Sequence, residues 1–268
     1  MARFRIPHSQ FLKFIREEDY SLSQMDDRRL TMDFDFLNVK NKQYCAKLQR
    51  DDEAFIQFRT DYSDFQIYLV DDSGNDLNVN SWLEFVSELD DGRKVWNINI
   101  PCSSLNDYYY LRIYLYQPYK PIATFRSEWF YVAETHNDSI LLQWNTSDND
   151  GIIWNDKSQS IRVKGRLFDF ETGNTKHNYT DSDGAVITLT GKGSRYKILQ
   201  IEPISQWVVE RLNLALIHEH FYINSIEFTC EDKIEANRIG ETNLYDVSIK
   251  LREKYYEDYT SDEELTGG

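Results

Sequence analysis

The chain has few cysteines, and their number is odd. Cys45, Cys102 and Cys230 lie far apart in the sequence, each in an apolar or alternating context. Structural disulfides need paired cysteines and an oxidising compartment. We therefore expect three buried free thiols in a protein that is made in reducing surroundings.

Glycine and proline are also scarce, with 11 and 5 among 268 residues. The glycines occur in turn-like clusters, such as residues 71–75 and 90–92, which interrupt β-rich segments. Hydrophobic residues make up 41% of the chain and aromatic residues 15%, which excludes a disordered protein. The length allows one large domain or two domains of about 130 residues.

Basic residues are in the minority, with 30 Lys and Arg against 45 Asp and Glu, and the formal net charge is −15. No basic run is longer than Arg28 with Arg29 or Arg93 with Lys94. The electrostatic field of a protein with this net charge repels phosphate groups unless its basic residues are gathered in a separate patch. We expect no nucleic acid partner.

Long apolar runs are missing. The longest have four or five residues, such as residues 214–217, whereas a membrane helix needs about 20. Residues 1–14 lack the unbroken apolar stretch and the small-residue cleavage site of a signal peptide. We expect a soluble protein with no membrane partner and no export.

Catalytic signatures are absent as well. The sequence has no Gly-x-Ser-x-Gly segment, and no cysteine has an obvious base beside it in the sequence. Carboxylates are so abundant that an acid pair could always be imagined, so their number discriminates nothing. We assign no catalytic and no cofactor-binding residue, and we predict a protein that is not an enzyme.

Three segments superficially resemble ligand-binding loops. An EF-hand through the aspartate-rich residues 148–151 or 181–184 would lack the glutamate required at its last position, so we predict turns there. His218 and His220 could supply two imidazoles, but no third ligand is evident, and we predict no metal site. Residues 191–194 lack the glycine spacing of a phosphate loop and are predicted as a hairpin turn.

Alternation of apolar and other residues is clearest between residues 108 and 116. Aliphatic residues and Tyr109 occupy one set of alternate positions, and the other set is Tyr108, Tyr110, Arg112, Tyr114 and Tyr116. Successive side chains of a strand point to opposite faces of the sheet. We predict a strand whose aromatic face packs on another sheet or another chain, with Tyr110 and Tyr114 as interface residues.

The predicted fold class is mainly β, with two β-sandwich-like domains, the second carrying one flanking α-helix. Seven or eight strands are predicted within residues 1–135, a polar break follows at residues 134–139, and a second β-rich domain spans residues 136–252. Residues 253–268 form an acidic tail. One continuous double sandwich remains an alternative.

The only convincing helix is predicted at residues 206–218, with Ser205 as its N-cap. Its polar stripe is narrow, and apolar residues cover most of its circumference, so it must be largely buried. Either it plugs the end of its own domain or it also reaches a neighbouring subunit. In the second case Trp207, Leu212 and Leu216 are candidate interface residues.

Six tryptophans raise the possibility of sugar binding, because exposed aromatic rings stack on sugar faces. Most of them are predicted to be core residues, such as Trp96, which alternates with Ile98 and Ile100, and Trp207 in the apolar helix. Only Trp154, within residues 150–156, has a loop-like context. Trp154 is therefore a possible glycan contact. A carbohydrate-binding module or receptor-binding adhesin is the alternative function.

The second half has a distinctive order of segments. Trp144 is followed by Gly-Ile-Ile-Trp at 151–154, Ile-Arg-Val-Lys-Gly-Arg-Leu at 161–167, Tyr-Lys-Ile-Leu at 196–199, Trp-Val-Val-Glu-Arg-Leu at 207–212 and Phe-Tyr-Ile-Asn at 221–224. Over residues 140–252 this order resembles tail-region structural proteins of tailed bacteriophages, particularly those whose hosts are Bacteroidetes.

The resemblance implies a virion subunit of β-sandwich type with a flanking helix, present in multiple copies in the tail, neck or baseplate. It implies no active-site residues. The expected partners are copies of the chain itself and other virion tail proteins, with assembly in the cytoplasm of the host bacterium. A host surface glycan is the partner under the alternative function.

Overall fold

The computed structural model describes residues 4–7, 10–17, 45–62, 64–117, 120–137, 139–146, 152–180, 182–230, 233–240 and 244–254. Within these residues the chain forms eighteen strands and one α-helix. The prediction of a mainly β fold is confirmed.

Eleven strands precede residue 135. They are β1 (Phe4–Arg5), β2 (Phe14–Arg16), β3 (Cys45–Gln49), β4 (Ala54–Thr60), β5 (Asp64–Asp71), β6 (Asp76–Asn78), β7 (Leu83–Glu88), β8 (Lys94–Ile100), β9 (Tyr108–Gln117), β10 (Lys120–Ser127) and β11 (Trp129–Ala133).

The remaining elements follow residue 138. They are β12 (Ser139–Asn145), β13 (Gln159–Thr180), β14 (Val186–Ser205), α1 (Gln206–Ala215), β15 (His220–Ile223), β16 (Ile226–Cys230), β17 (Glu235–Arg238) and β18 (Leu244–Glu253).

In the first half, two sheets share a core. One has the order β1-β4-β8-β7, and the other is built on β9, which pairs with β5 on one side and with β10 and β11 on the other. The sheets meet where the ring of Phe58 on β4 lies edge-on to the ring of Phe65 on β5, with centroids 5.3 Å apart. The alternating residues Ile67, Leu111 and Ile113 are fully buried at this junction of sheets.

The second half is a closed barrel, not the sandwich that the sequence predicts. The antiparallel order is β12-β15-β16-β18-β14-β13, and β13 pairs with β12 to close the ring. Leu142 of β12 stands opposite both Ile161 of β13 and Ile223 of β15. Apolar alternation is the same in a sandwich and in a small filled barrel, so the pattern could not distinguish them.

Glycine is required at one point of the barrel wall. A Cβ atom on Gly165 of β13 would collide with the backbone carbonyl oxygen of Gln200 on β14. Gly165 therefore allows the close approach of these two strands.

The helix α1 closes one end of the barrel, where it lies against β12, β14 and β18. It ends at Ala215, three residues before the predicted end. Ser205 occupies the predicted N-cap position, but its side chain makes no capping hydrogen bond. Burial of the apolar side of the helix, rather than its cap, therefore holds it in place.

The predicted hairpin turn at residues 191–194 is wrong, because these residues lie inside the twenty-residue strand β14. The turn between β13 and β14 includes residues 182–184, as predicted for residues 181–184, whereas the turn predicted at residues 148–151 lies outside the described part of the chain. Gly184 adopts φ +80° there, which suits glycine.

The acidic tail predicted at residues 253–268 begins inside the fold. Glu253 is the last residue of β18, and the Nζ atom of Lys254 lies 2.7 Å from a carboxylate oxygen of Glu227 on β16. Residues 255–268 lie outside the described part of the chain.

The two halves are joined by buried polar groups. The side chain of Gln57 on β4 donates to the carbonyl oxygen of Ile153 at 2.9 Å and accepts from its N–H at 2.9 Å. Arg162 of β13 binds both carboxylate oxygens of Asp52, at 2.6 and 2.7 Å. One connected cluster of buried apolar residues spans both halves, and the boundary at residues 135–136 stays a prediction.

Removing one partner of the buried ion pair should be costly. We expect Arg162→Ala to lower the free energy of unfolding by about 3–5 kcal/mol, because Asp52 would remain as a buried charge without its counter-ion. Lys164→Ala is the matched control on the same strand, since Lys164 pairs at 3.0 Å with Glu202 at the partly exposed barrel surface. That control should cost about 1 kcal/mol or less in urea denaturation. Equal losses for the two variants would contradict the prediction.

Candidate protein interface

The outer side of β9 carries an aromatic surface. Its members are Tyr108, Tyr110, Arg112, Tyr114 and Tyr116, which we call the tyrosine face. The alternate residues Leu111, Ile113 and Leu115 are completely buried on the other side of the strand. The structure confirms the predicted alternation and places Tyr110 and Tyr114 together on the outer side.

Rings from neighbouring strands extend the tyrosine face. Tyr68 of β5 contacts Tyr114 edge-on at a centroid distance of 5.5 Å. Tyr131 of β11 stacks on Tyr108 at 4.3 Å. The sequence argument missed both rings because it followed one strand, although Tyr131 alternates with the buried Phe130 and Val132 as a strand surface residue does.

Two guanidinium groups bind the rings to one another. The guanidinium carbon of Arg126 lies 3.8 Å from the ring centroid of Tyr110, and Arg112 donates to the Tyr110 hydroxyl at 2.8 Å. Arg112 also forms ion pairs with Glu17 at 3.0 Å and with Asp76 at 3.3 Å. Cation–π contacts of this kind contribute about 0.5–1 kcal/mol each at exposed sites.

Tyr110 supports the surface rather than contacting a partner, because its side chain is only 6% exposed. Burial raises the pKa of its hydroxyl, although Arg126 and Arg112 oppose that shift, so the group stays neutral at ordinary pH. Tyr114 and Arg112 are half-buried, and Tyr108 is exposed. A partner would therefore meet Tyr108, Arg112 and Tyr114, with Tyr110 beneath them.

The tyrosine face has the composition of a protein-binding surface. Tyr, Trp and Arg are enriched at interfaces and dominate their binding energy. Trp129 of β11 adds to this set, since its ring contacts Tyr110 edge-on at 4.8 Å. Because the rings and guanidinium groups already hold one another, little side-chain freedom remains to be lost on binding.

The helix residues predicted as interface residues are placed differently. Trp207 and Leu212 are buried in the chain's own core, at 8% and 1% exposure, so they are not available to a partner. Leu216 is half-buried. The helix packs on the end of its own barrel, and the alternative that it also reaches a neighbouring subunit stays a prediction. Leu214 in the helix and Ile217 just after it are exposed apolar residues.

Trp154 does not have the exposure that a sugar contact requires. Its side chain is 5% exposed and belongs to the apolar core, and its ring lies edge-on to that of His218 at 5.4 Å. The glycan prediction for this residue is wrong. A loop-like sequence context did not reveal that the segment folds back onto the barrel.

An open groove of about 470 Å³ lies where β13, β14 and β18 meet on the outer barrel wall. The exposed ring of Phe168 stands at this groove, together with the side chains of Arg166 and Asp246. The groove therefore combines one aromatic ring with polar side chains that can form hydrogen bonds with the hydroxyl groups of a ligand.

The two histidines considered as metal ligands have other contacts. His218 packs on Trp154, and the Nδ1 atom of His220 lies 2.7 Å from a carboxylate oxygen of Glu227. Among the residues that the structure describes, no three metal-binding side chains cluster closely enough to hold an ion.

The three cysteines form no disulfide, and Cys45 and Cys102 are buried while Cys230 is half-buried. Burial raises the pKa of Cys102 to about 12, so its thiol is protonated and unreactive at neutral pH.

Glu227 should make stability depend on acidity. Burial by itself raises the pKa of Glu227, but hydrogen bonds from Lys254 and His220 outweigh burial and hold the pKa below its ordinary value. A carboxyl whose pKa is lowered by folding stabilises the fold above the ordinary pKa, and this stabilisation is lost as the pH falls. The urea concentration at the midpoint of unfolding should therefore decrease as the pH is lowered from about 6 to about 3. This decrease should be less steep in Glu227→Gln.

The matched control is Glu219→Gln. Glu219 is an exposed carboxylate that lies 3.7 Å from the other nitrogen of the His220 ring. In the Glu219→Gln variant the urea midpoint should depend on pH nearly as steeply as in the unmodified protein. Identical slopes for Glu227→Gln and the unmodified protein would show that Glu227 does not contribute.

No protein family, curated protein or solved structure matches the chain. Among the described residues, no helix has both the length and the apolar character that crossing a bilayer requires.

Proposed function

We propose that this chain is a non-enzymatic structural subunit of a bacteriophage tail, neck or baseplate, which acts through protein–protein contacts in a multimeric assembly. The observation that carries the proposal is the tyrosine face. It combines exposed and half-buried Tyr108, Arg112 and Tyr114 on a self-supporting layer of aromatic and guanidinium groups. The order of segments over residues 140–252, with its resemblance to phage tail proteins, supports the class of assembly.

The proposed partners are copies of the chain and other virion tail proteins, and the proposed location is the virion, after assembly in the host cytoplasm. Three cysteines without a disulfide suit assembly in a reducing cytoplasm. Exposed apolar side chains on several strands, such as Val186 and Ile226, suit a protein whose surface is partly covered by neighbours.

The double variant Tyr108→Ala with Tyr114→Ala tests the proposal in particles. Truncation of interface hot spots costs about 2 kcal/mol or more, which is roughly a thirty-fold weaker association. We expect quantitative mass spectrometry of purified particles to show a strongly reduced copy number of the variant relative to the major capsid protein.

Phe85→Ala is the matched control, because Phe85 is an exposed aromatic residue on β7, away from the tyrosine face. It should leave the copy number unchanged. Absence of the unmodified chain from purified particles would refute the virion proposal. Normal incorporation of the double variant would instead show that the tyrosine face is not the surface through which the chain joins the particle.

A receptor-binding adhesin is the second candidate, and the groove beside Phe168 is the observation that favours it. A glycan array would decide. Saturable binding of a sugar by the full chain, abolished by Phe168→Ala and retained by the tyrosine-face double variant, would support the adhesin.

A further inference from the structure

The groove beside Phe168 is lined mainly by polar side chains, and we call it the wall groove. Its volume of about 470 Å³ lies in the range of pockets that hold small molecules. The polar side chains that line it are Arg166, Gln200, Glu202, Asn237, Asp246 and Ser248.

Strand pairing brings these side chains together from four strands. Arg166 of β13 stands opposite Gln200 of β14, and Gln200 stands opposite Ser248 of β18. Asp246, two residues before Ser248 on the same face of β18, stands opposite Asn237 of β17. Neighbouring strands lie about 4.8 Å apart, so the row from β13 to β18 is about 10 Å wide. A ligand with the size of one or two sugar rings covers such a row.

A β-bulge in β14 shapes one side of the wall groove. Residues 201–204 of β14 stand opposite residues 245–247 of β18, so β14 has one residue more than its partner there. A bulge bends its strand, increases the local twist and can re-aim a side chain. Glu202 lies in this bulge and lines the wall groove, where its carboxylate is 3.0 Å from the Nζ atom of Lys164. The wall groove therefore lies at an irregularity of the barrel wall and not on a flat part of it.

Four of the polar side chains are not used within the chain. Among the residues that the structure describes, the side chains of Arg166, Gln200, Asn237 and Asp246 make no hydrogen bond or ion pair. All four are exposed, and each ends in a planar group whose polar atoms can bind neighbouring hydroxyl groups of one ligand. The exposed ring of Phe168 lies beside them, two residues after Arg166 on the same face of β13. Planar hydrogen-bonding groups beside an aromatic ring match the hydroxyl and C–H surfaces of a sugar ring.

The charges at the wall groove cancel. Arg166 and Asp246 carry single charges of opposite sign, and the charge of Glu202 is neutralised by its ion pair with Lys164. The chain as a whole has a formal net charge of −15, so its field repels glycans that carry sialic or uronic acids. The balanced groove does not compensate for that repulsion, whereas an uncharged saccharide does not experience it.

The immediate surroundings of the wall groove are balanced as well. Lys250 follows Ser248 at the next outward position of β18, and Glu235 of β17 stands opposite Ser248. The Nζ atom of Lys250 lies 4.4 Å from the ring centroid of Tyr196, so this cation is directed to a ring outside the groove. Neither charged residue lines the wall groove.

We propose that the wall groove binds an uncharged saccharide, with the ring of Phe168 against one sugar face and the side chains of Arg166, Gln200, Asn237 and Asp246 on its hydroxyl groups. The inference rests on the receptor-binding adhesin, the second candidate function, and names its ligand class and its binding residues. It makes no use of the tyrosine face, which belongs to the first half of the chain.

A glycan array with two matched sets separates the ligand classes. The labelled full chain is applied to neutral oligosaccharides of glucose, galactose, mannose and rhamnose, and to related oligosaccharides that end in sialic or uronic acid. We expect saturable binding to members of the neutral set only. Raising the salt concentration from about 0.15 M to about 0.5 M should leave this binding unchanged, because an uncharged ligand forms no ion pair that salt could screen.

Two variants of the full chain locate the site. Phe168→Ala removes the ring and should abolish binding of the best neutral oligosaccharide on the array. Gln200→Ala removes hydrogen bonds from the middle of the row and should raise the Kd, measured by calorimetry, by about threefold.

Ile226→Ala is the matched control. Ile226 lies on β16 of the same barrel and is 43% exposed, as Phe168 is, but it does not line the wall groove. It should leave the Kd unchanged. Circular dichroism melting of all variants checks that the fold is intact.

The contrary outcomes can be told apart. Neutral saccharide binding that persists in both groove variants would overturn the inference and leave the adhesin standing with another site. Preference for the acidic set, or binding that weakens strongly with salt, would overturn the uncharged ligand class. Absence of any glycan binding by the unmodified chain would refute the adhesin and the inference together. The structural-subunit proposal is tested separately, by the copy number in particles.

Discussion

The buried ion pair between Arg162 and Asp52 ties the two halves of the chain together. Both groups are buried, and a buried charge is tolerated only when its partner is in place. The amide of Gln57 acts in the same region, because it satisfies both backbone groups of Ile153 in the segment that leads into β13. These polar contacts are directional, so they fix one relative orientation where an apolar junction would permit several.

That orientation also separates the surfaces available for contact. The tyrosine face belongs to the sheet of the first half, whereas α1 lies at one end of the barrel in the second half. The tyrosine face is organised in advance by its own rings and guanidinium groups, and therefore loses little entropy on binding.

Some of this structure follows from sequence alone because it depends on near neighbours. Alternation in residues 108–116 was sufficient to assign a strand with an aromatic outer side, and the 3.6-residue period beginning at Gln206 was sufficient to assign α1. The apolar pattern repeats at every second residue in the strand and at every turn in the helix, so a short stretch of sequence contains it. Turns beside aspartate and glycine were equally local, and Gly184 adopts the positive φ that such a turn uses.

Only the tertiary structure decided how these elements combine. Closure of the barrel depends on β12 pairing with both β13 and β15, and no local pattern records which distant strand a strand will find. Burial of Trp154 and Trp207 depends on surfaces brought together from elsewhere in the chain, so their sequence context misrepresented one as a sugar contact and the other as an interface residue. The continuation of β14 through residues 191–194 was missed for a related reason. The glycines at residues 191 and 193 have the composition of a turn, but cross-strand pairing with β13 keeps them extended.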